Sequence, residues 1–198
     1  GRATVVGTWF VFVGPSTATI NLNADGSATL ITAGVELGQG TMVQALPQIV
    51  AHELGIHPND VIVRAADTDA AGFDLGVGGG RTTVSVGAAS RAAAADIRNK
   101  ILNAAGELLQ TSPEKLLLRN GRVEIDGLEG TGMSVAKVVQ HLHRTSGPVV
   151  GSGSFTNPGV PAIPGCAAGH SSMPSTFRSS MFTTAKSRGT PRRVMSTY

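Results

Sequence analysis

Two glycine-rich stretches hold the residue types in this chain with the clearest chemical potential. In Gly76-Val77-Gly78-Gly79-Gly80-Arg81-Thr82-Thr83 the glycines run directly into the longest helical segment of the sequence. A helix start leaves backbone N–H groups unpaired and presents the positive end of its dipole. A phosphate suits such a place, and glycines let it approach the chain. A flexible loop ahead of a capped helix fits the same residues. No lysine follows the last glycine as a Walker loop requires, and the spacing is not G-x-G-x-x-G within a strand–helix–strand unit. In the second stretch, Gly38-Gln39-Gly40 sets one carboxamide between two glycines just before another helix. Gln39 can donate to an oxo group and accept from a hydroxyl, with steric room around it; an ordinary turn is the plainer reading. Glu36 is a nearby carboxylate, either a base or simply solvated.

The remaining candidates are weaker. His141 and His143, two apart, do not share a helix face, and His52, His57 and His170 stand apart from any cysteine or carboxylate cluster with metal-ligand spacing, so no protein-ligated metal is expected. Cys166, the single cysteine, has no evident partner and reads as an inert thiol. No G-x-S-x-G nucleophile elbow occurs.

The elements that would position these residues are mixed strands and helices, so the expected class is α+β with mixed sheets and packed helices. Residues 4–13 and 17–22 are strand-like, and Asn23-Ala24-Asp25-Gly26 turns the latter into a partner strand at 27–32. A helix is predicted over 41–54, ended by Gly55. Pro47 inside it implies a kink or a regular helix starting near Ala45. Val61–Ala65 reads as a short buried strand and 83–109 as the longest helix, its first half lined by Gly87, Ala88, Ala92 and Ala95. Asn120-Gly121 joins strands at 116–119 and 122–125, an amphipathic helix covers 134–143, and 149–155 is a strand ahead of the proline-rich 157–165.

Composition limits the function classes. The 198 residues contain 26 glycines and only 15% charged side chains, against a usual ~25% charged. Sparse charge with abundant glycine suggests surfaces buried against something and backbone brought close to a ligand. The net charge of +3 hints at nucleic acid. Yet Arg178, Lys186, Arg188, Arg192 and Arg193 all lie in 171–198, which has no acid. Residues 1–170 therefore hold 11 basic against 13 acidic side chains, and no basic stripe interleaved with aromatics occurs there. Nucleic acid is not an expected partner. No apolar run approaches the ~18 residues of a membrane span, and no secretory leader pattern is seen, so a bacterial cytoplasmic location is expected.

Three blocks in order and spacing, GVELGQGT at 34–41, LGIHPNDVIVRAADTDA at 54–70 and FDLGVGGGRTTVSVGAASRAA at 73–93, resemble the molybdopterin-binding large subunit of the xanthine dehydrogenase/aldehyde oxidase family, over about residues 1–170. The resemblance implies part of a molybdenum-cofactor-binding domain. Gln39 would hydrogen-bond an oxygen ligand of the molybdenum, with Gly38 and Gly40 beside it. Gly78, Gly79, Gly80, Arg81, Thr82 and Thr83 would contact the pyranopterin and its dinucleotide phosphates. Gly80 stands where serine is common in the family, and Pro47 where alanine would be expected. The implied cofactor is a molybdenum–pterin group, in the cytosine dinucleotide form. The implied reaction is hydroxylation of aldehydes or N-heteroaromatics with water as the oxygen source. The implied partners are the remainder of the large subunit, an iron–sulfur subunit and a flavin (FAD) subunit, with a small-molecule substrate. The family's general base is a glutamate near its C-terminus that this chain does not reach, so the isolated chain is expected to be inactive. A stand-alone module for some other phosphate ligand, without a redox role, and a non-functional truncated product are the alternatives.

Residues 171–198 break with this pattern: twelve of 28 are Ser or Thr, and no helical or strand period emerges. Read one nucleotide earlier, Ser171–Pro174 can encode Phe-Ile-Asp-Ala, and Met181–Arg188 can encode Val-His-Tyr-Cys-Glu-Val-Glu, both similar to the family. The expectation is a frameshifted, disordered tail beginning near His170.

Overall fold

The computed structural model describes residues 2–10, 13–65, 67–156 and 178–186. Its centre is a four-stranded sheet whose strands run, in spatial order, β4 (Val61–Ala65), β3 (Ala28–Thr32), β2 (Ser16–Leu22) and β8 (Val149–Phe155). Strands β2 (Ser16–Leu22) and β3 (Ala28–Thr32) form the expected antiparallel hairpin. At its turn Asp25 Oδ1 accepts from the Ser27 N–H at 2.9 Å and the Ser27 hydroxyl at 2.7 Å, while Gly26 takes φ +90°. The hydroxyl bond above all, then the backbone one, holds the Asp25 carboxyl below its usual range. Strand β8 (Val149–Phe155) pairs antiparallel with β2, and β4 (Val61–Ala65) pairs parallel with β3. As an edge strand β4 is only partly covered: Val61 is buried but Ile62 is exposed, which corrects the expectation of a buried strand.

Helix α1 (Leu46–Leu54) packs on α2 (Arg81–Leu109) and β4, and α2 lies across β8 and β2. The core joins Ile20 and Leu30 of the sheet to Leu46, Val50, Val86 and Ile97 of the helices. The proline problem resolves as anticipated. Pro47 falls in the first turn of α1, and residues Thr41–Ala45 before it form a π-turn in which the Leu46 N–H donates to the Thr41 carbonyl. Gly55 ends α1 at φ +62°. Beyond α2, a second sheet of β5 (Leu116–Arg119), β6 (Arg122–Ile125) and β7 (Leu128–Ser134) leads into α3 (Val135–Thr145), which Ser134 caps by accepting from the Lys137 N–H. Strand β7 went unpredicted.

The helix–sheet contact depends on small residues from both sides. A Cβ on Gly153 would run into the Ala89 carbonyl oxygen and the Ala93 N–H, and one on Gly151 into the Ala93 carbonyl oxygen. Gly153→Ala is therefore expected to cost about 1–3 kcal/mol through overpacking against rigid backbone. An unchanged thermal midpoint would contradict that close approach.

A separate antiparallel pair joins β1 (Arg2–Phe10) to β9 (Arg178–Lys186). Part of 171–198, expected to be structureless, is thus a strand. Residues 157–177 and 187–198, with the proline-rich segment, Cys166 and His170, lie outside the described residues.

Candidate functional site

The two glycine-rich stretches meet. Leu37, Gln39 and Thr41 form one wall, and Val77–Gly80 with Thr82 and Thr83 the other, of a groove of about 350 Å³. Their convergence follows from the fold: α1 and the π-turn before it pack beside the first turns of α2. Gly34 fits against Met42 and Val86 so tightly that a Cβ there would strike the Met42 methyl.

The groove walls differ in what they offer. In the first, the carboxylate of Glu36 turns inward on its own loop. Its Oε1 accepts from the Gly38 N–H at 2.7 Å and the Gly40 N–H at 2.9 Å, and its Oε2 from the Met42 N–H at 2.9 Å. The Gly40 bond foremost, then that of Met42, holds the carboxyl below its usual range. The two glycines expected beside the cofactor, Gly38 and Gly40, thus have their N–H groups engaged within the loop. Their N–H groups are spent on Glu36, neither lines the groove, and Glu36 is neither free base nor idle surface charge. What the loop presents instead is the exposed side chain of Gln39.

The second wall keeps its backbone donors. Gly80 caps α2 at φ +76° without any side-chain cap, and no acidic residue lies in the first turn. The Arg81 N–H donates to the Gly78 carbonyl at 3.1 Å; those of Thr82 and Thr83 lie in the first turn, where a helix supplies no acceptor of its own. Around Gly76, Gly78 and Gly80 a Cβ would meet nothing within 4 Å, so open space borders the helix start. Unpaired N–H groups at the positive end of a 29-residue helix, uncapped and glycine-bordered, suit an anion.

Arg81 itself turns away from the groove. It is 2% exposed and acts inside the protein. One guanidinium nitrogen donates to Asp74 Oδ1 at 2.9 Å and to the Gly76 carbonyl. The other donates to the Gly14 carbonyl at 3.0 Å, the Pro15 carbonyl at 3.0 Å and Ser16 Oγ at 2.9 Å. Carbonyls converging from the start of β2 and from the 74–76 loop take up its terminal donors, so its side chain lies outside the groove that its sequence neighbours line. Asp74 completes the knot by accepting from the Ser16 hydroxyl at 2.5 Å and the Gly76 N–H at 2.7 Å. Asp74, Ser16, Leu37 and Val77 were not singled out from sequence. The signal that could have found Asp74 is an acid seven residues before a glycine-flanked arginine.

The molybdopterin cofactor-binding domain family matches residues 2–185, past the composition break near 170. Among curated proteins, the chain is 33% identical over 113 residues to the 6-hydroxypseudooxynicotine dehydrogenase complex subunit gamma of Paenarthrobacter nicotinovorans, covering 57% of this chain and 14% of that one. It is 29% identical over 127 residues to the nicotine 6-hydroxylase large subunit of the same organism, covering 64% and 15%. The solved structure of reconstituted CO dehydrogenase from Oligotropha carboxidovorans shares the fold at a TM-score of 0.72 with 24% identity, covering 80% of this chain and 22% of that one. The chain therefore spans about a seventh of the length of the curated relatives it matches.

Proposed function

Since the chain belongs to the molybdopterin cofactor-binding domain family of the xanthine dehydrogenase type, we propose that its groove holds part of a molybdenum–pterin dinucleotide in the large subunit of a molybdenum hydroxylase. The observation that carries this reading is the meeting of Gln39 with the uncapped start of α2 in one groove. The residues present fit the group. Free N–H groups and bordering open space suit its diphosphate, and an exposed carboxamide suits an oxygen-rich centre.

In this assignment Thr82 and Thr83 hold phosphate oxygens through their backbone N–H groups, and Gly78, Gly79 and Gly80 leave room for the ligand. Gln39 offers a donor and an acceptor on one planar group, so it can orient an oxygen ligand in either protonation state. When bound, the cofactor supplies two-electron oxidation of a substrate carbon with water as the oxygen source. Such a reaction needs an electron exit, which an iron–sulfur and a flavin subunit would provide, and a general base, for which the groove offers no free carboxylate. The aldehyde or N-heteroaromatic substrate and the cytosine form of the dinucleotide belong to the same proposal.

Titration of the ¹⁵N-labelled chain with cytidine diphosphate tests the site. The amide resonances of Gly79, Thr82 and Thr83 are expected to shift saturably, with inorganic pyrophosphate moving the same set more weakly. No response, or a response elsewhere on the surface, would overturn the assignment. An equal response to pyrophosphate would favour a plain phosphate-binding module.

A further inference from the structure

The loop that presents Gln39 has its own internal anchor, and the anchor is chemically unlike the usual glycine-loop arrangement. Residues 38–42 turn through two glycines at positive φ, +101° at Gly38 and +81° at Gly40. Such a turn points successive N–H groups inward and creates a cavity for a negative group. Here the negative group comes from the chain itself, since Glu36 fills the concavity with both carboxylate oxygens. Its bonds fall on the residues immediately before and after Gln39, and on Met42 in the π-turn. Little else within the loop could hold it. A Cβ at Gly38 would meet nothing within 4 Å, and Gln39 is exposed.

We infer that Glu36 is a positioning residue for Gln39, its ionised carboxylate clamping the peptide groups on both sides of that side chain so that the carboxamide faces the groove. The inference rests on the role given to Gln39 above and supplies the means by which an exposed side chain on a glycine-rich loop keeps one orientation. Three backbone N–H groups bond the carboxylate, that of Gln39 adds a weaker pull, and among the described residues no charged side chain forms a hydrogen bond or ion pair with it. Its ionisation therefore depends on the loop, and the loop's order on its ionisation. The folded-state carboxyl lies below its unfolded value, so the clamp is complete above the ordinary glutamate range and is released as pH falls through the lowered value.

The division of oxygens makes the test specific. Oε1 serves Gly38 and Gly40 while Oε2 serves Met42, and a glutamine has one accepting oxygen and one amine that cannot accept. In the full 198-residue chain, Glu36→Gln is expected to keep hydrogen-exchange protection at Gly38 and Gly40 and lose it at Met42. Glu36→Ala should lose protection at all three by tenfold or more and raise the backbone mobility of Gln39 in ¹⁵N relaxation. In the wild-type chain the three amides should titrate together at one acidic midpoint, and neither variant should show that titration. Independent titration of the three amides, or unchanged protection and Gln39 mobility in Glu36→Ala, would overturn the inference. The cytidine diphosphate response of the wild-type chain is a separate readout. If it fails while the loop amides behave as stated, the cofactor assignment falls and the clamp stands.

Discussion

Replacing Arg81 by alanine is expected to cost about 3–5 kcal/mol, the toll of leaving a buried charge without its partner. The Asp74 carboxylate, 2% exposed at its side chain, would lose its cation, and carbonyls of Gly14, Pro15 and Gly76 would lose their donor. Against a total stability of ~5–15 kcal/mol for a domain, that is a large fraction of the whole. Arg81→Lys should recover only part of the loss, because one compact ammonium cannot reach acceptors that a planar guanidinium serves from two nitrogens. Asp74→Asn, which removes one charge but keeps an acceptor for Ser16, should cost less than Arg81→Ala. Urea midpoints of the three variants decide the matter. If Arg81→Ala kept the wild-type midpoint and lost only ligand affinity, the arginine would be a ligand contact after all.

Gly78 makes the opposite case. It has neither positive φ nor any neighbour within 4 Å of where a Cβ would lie, so nothing in the described protein demands glycine there. It lines the groove beside the α2 start. If the requirement comes from the ligand, Gly78→Ala should leave stability within about 0.5 kcal/mol of wild type. It should also weaken cytidine diphosphate binding about tenfold, ~1.4 kcal/mol. Gly80→Ala provides the contrast: at φ +76° a side chain is strained at a cost of ~1–2 kcal/mol, so that variant should lose stability whether or not ligand is present. Equal affinity of wild type and Gly78→Ala, measured by calorimetry, would mean the ligand does not pass this glycine.

The parts of the fold that sequence reading captured are those set by short-range chemistry. The Asn23–Gly26 turn, the Asn120-Gly121 turn with both residues at positive φ, the stop at Gly55 and the displacement of regular helix by Pro47 all follow from residues within a few positions of one another. The candidate groove was legible for the same reason, as glycines before a helix announce themselves locally. Its internal wiring was not. Arg81 looks like a phosphate ligand from its neighbours, while the carbonyls that engage its side chain arrive from 66 and 67 positions away. Glu36 was weighed as base or bystander because its three partners are backbone N–H groups, which leave no trace in side-chain identity. Strand β7 escaped because LEGTGMS has glycine at its third and fifth positions and no apolar alternation. The edge position of β4 depends on which strand pairs with β3, a tertiary outcome.

The π-turn at Thr41–Ala45 sets a phase. Because the Leu46 N–H reaches back to Thr41 rather than to Met42, this turn holds one residue more than a regular helical turn would. One residue corresponds to about 100° around a helix axis. Wound as uninterrupted α-helix, the same residues would carry the Gln39 loop around α1 by roughly that angle, away from the start of α2. The spare residue thus works as an angular offset between the two walls: it lets α1 satisfy the core with Leu46, Val50 and Leu54 while the segment before it aims at a different neighbour.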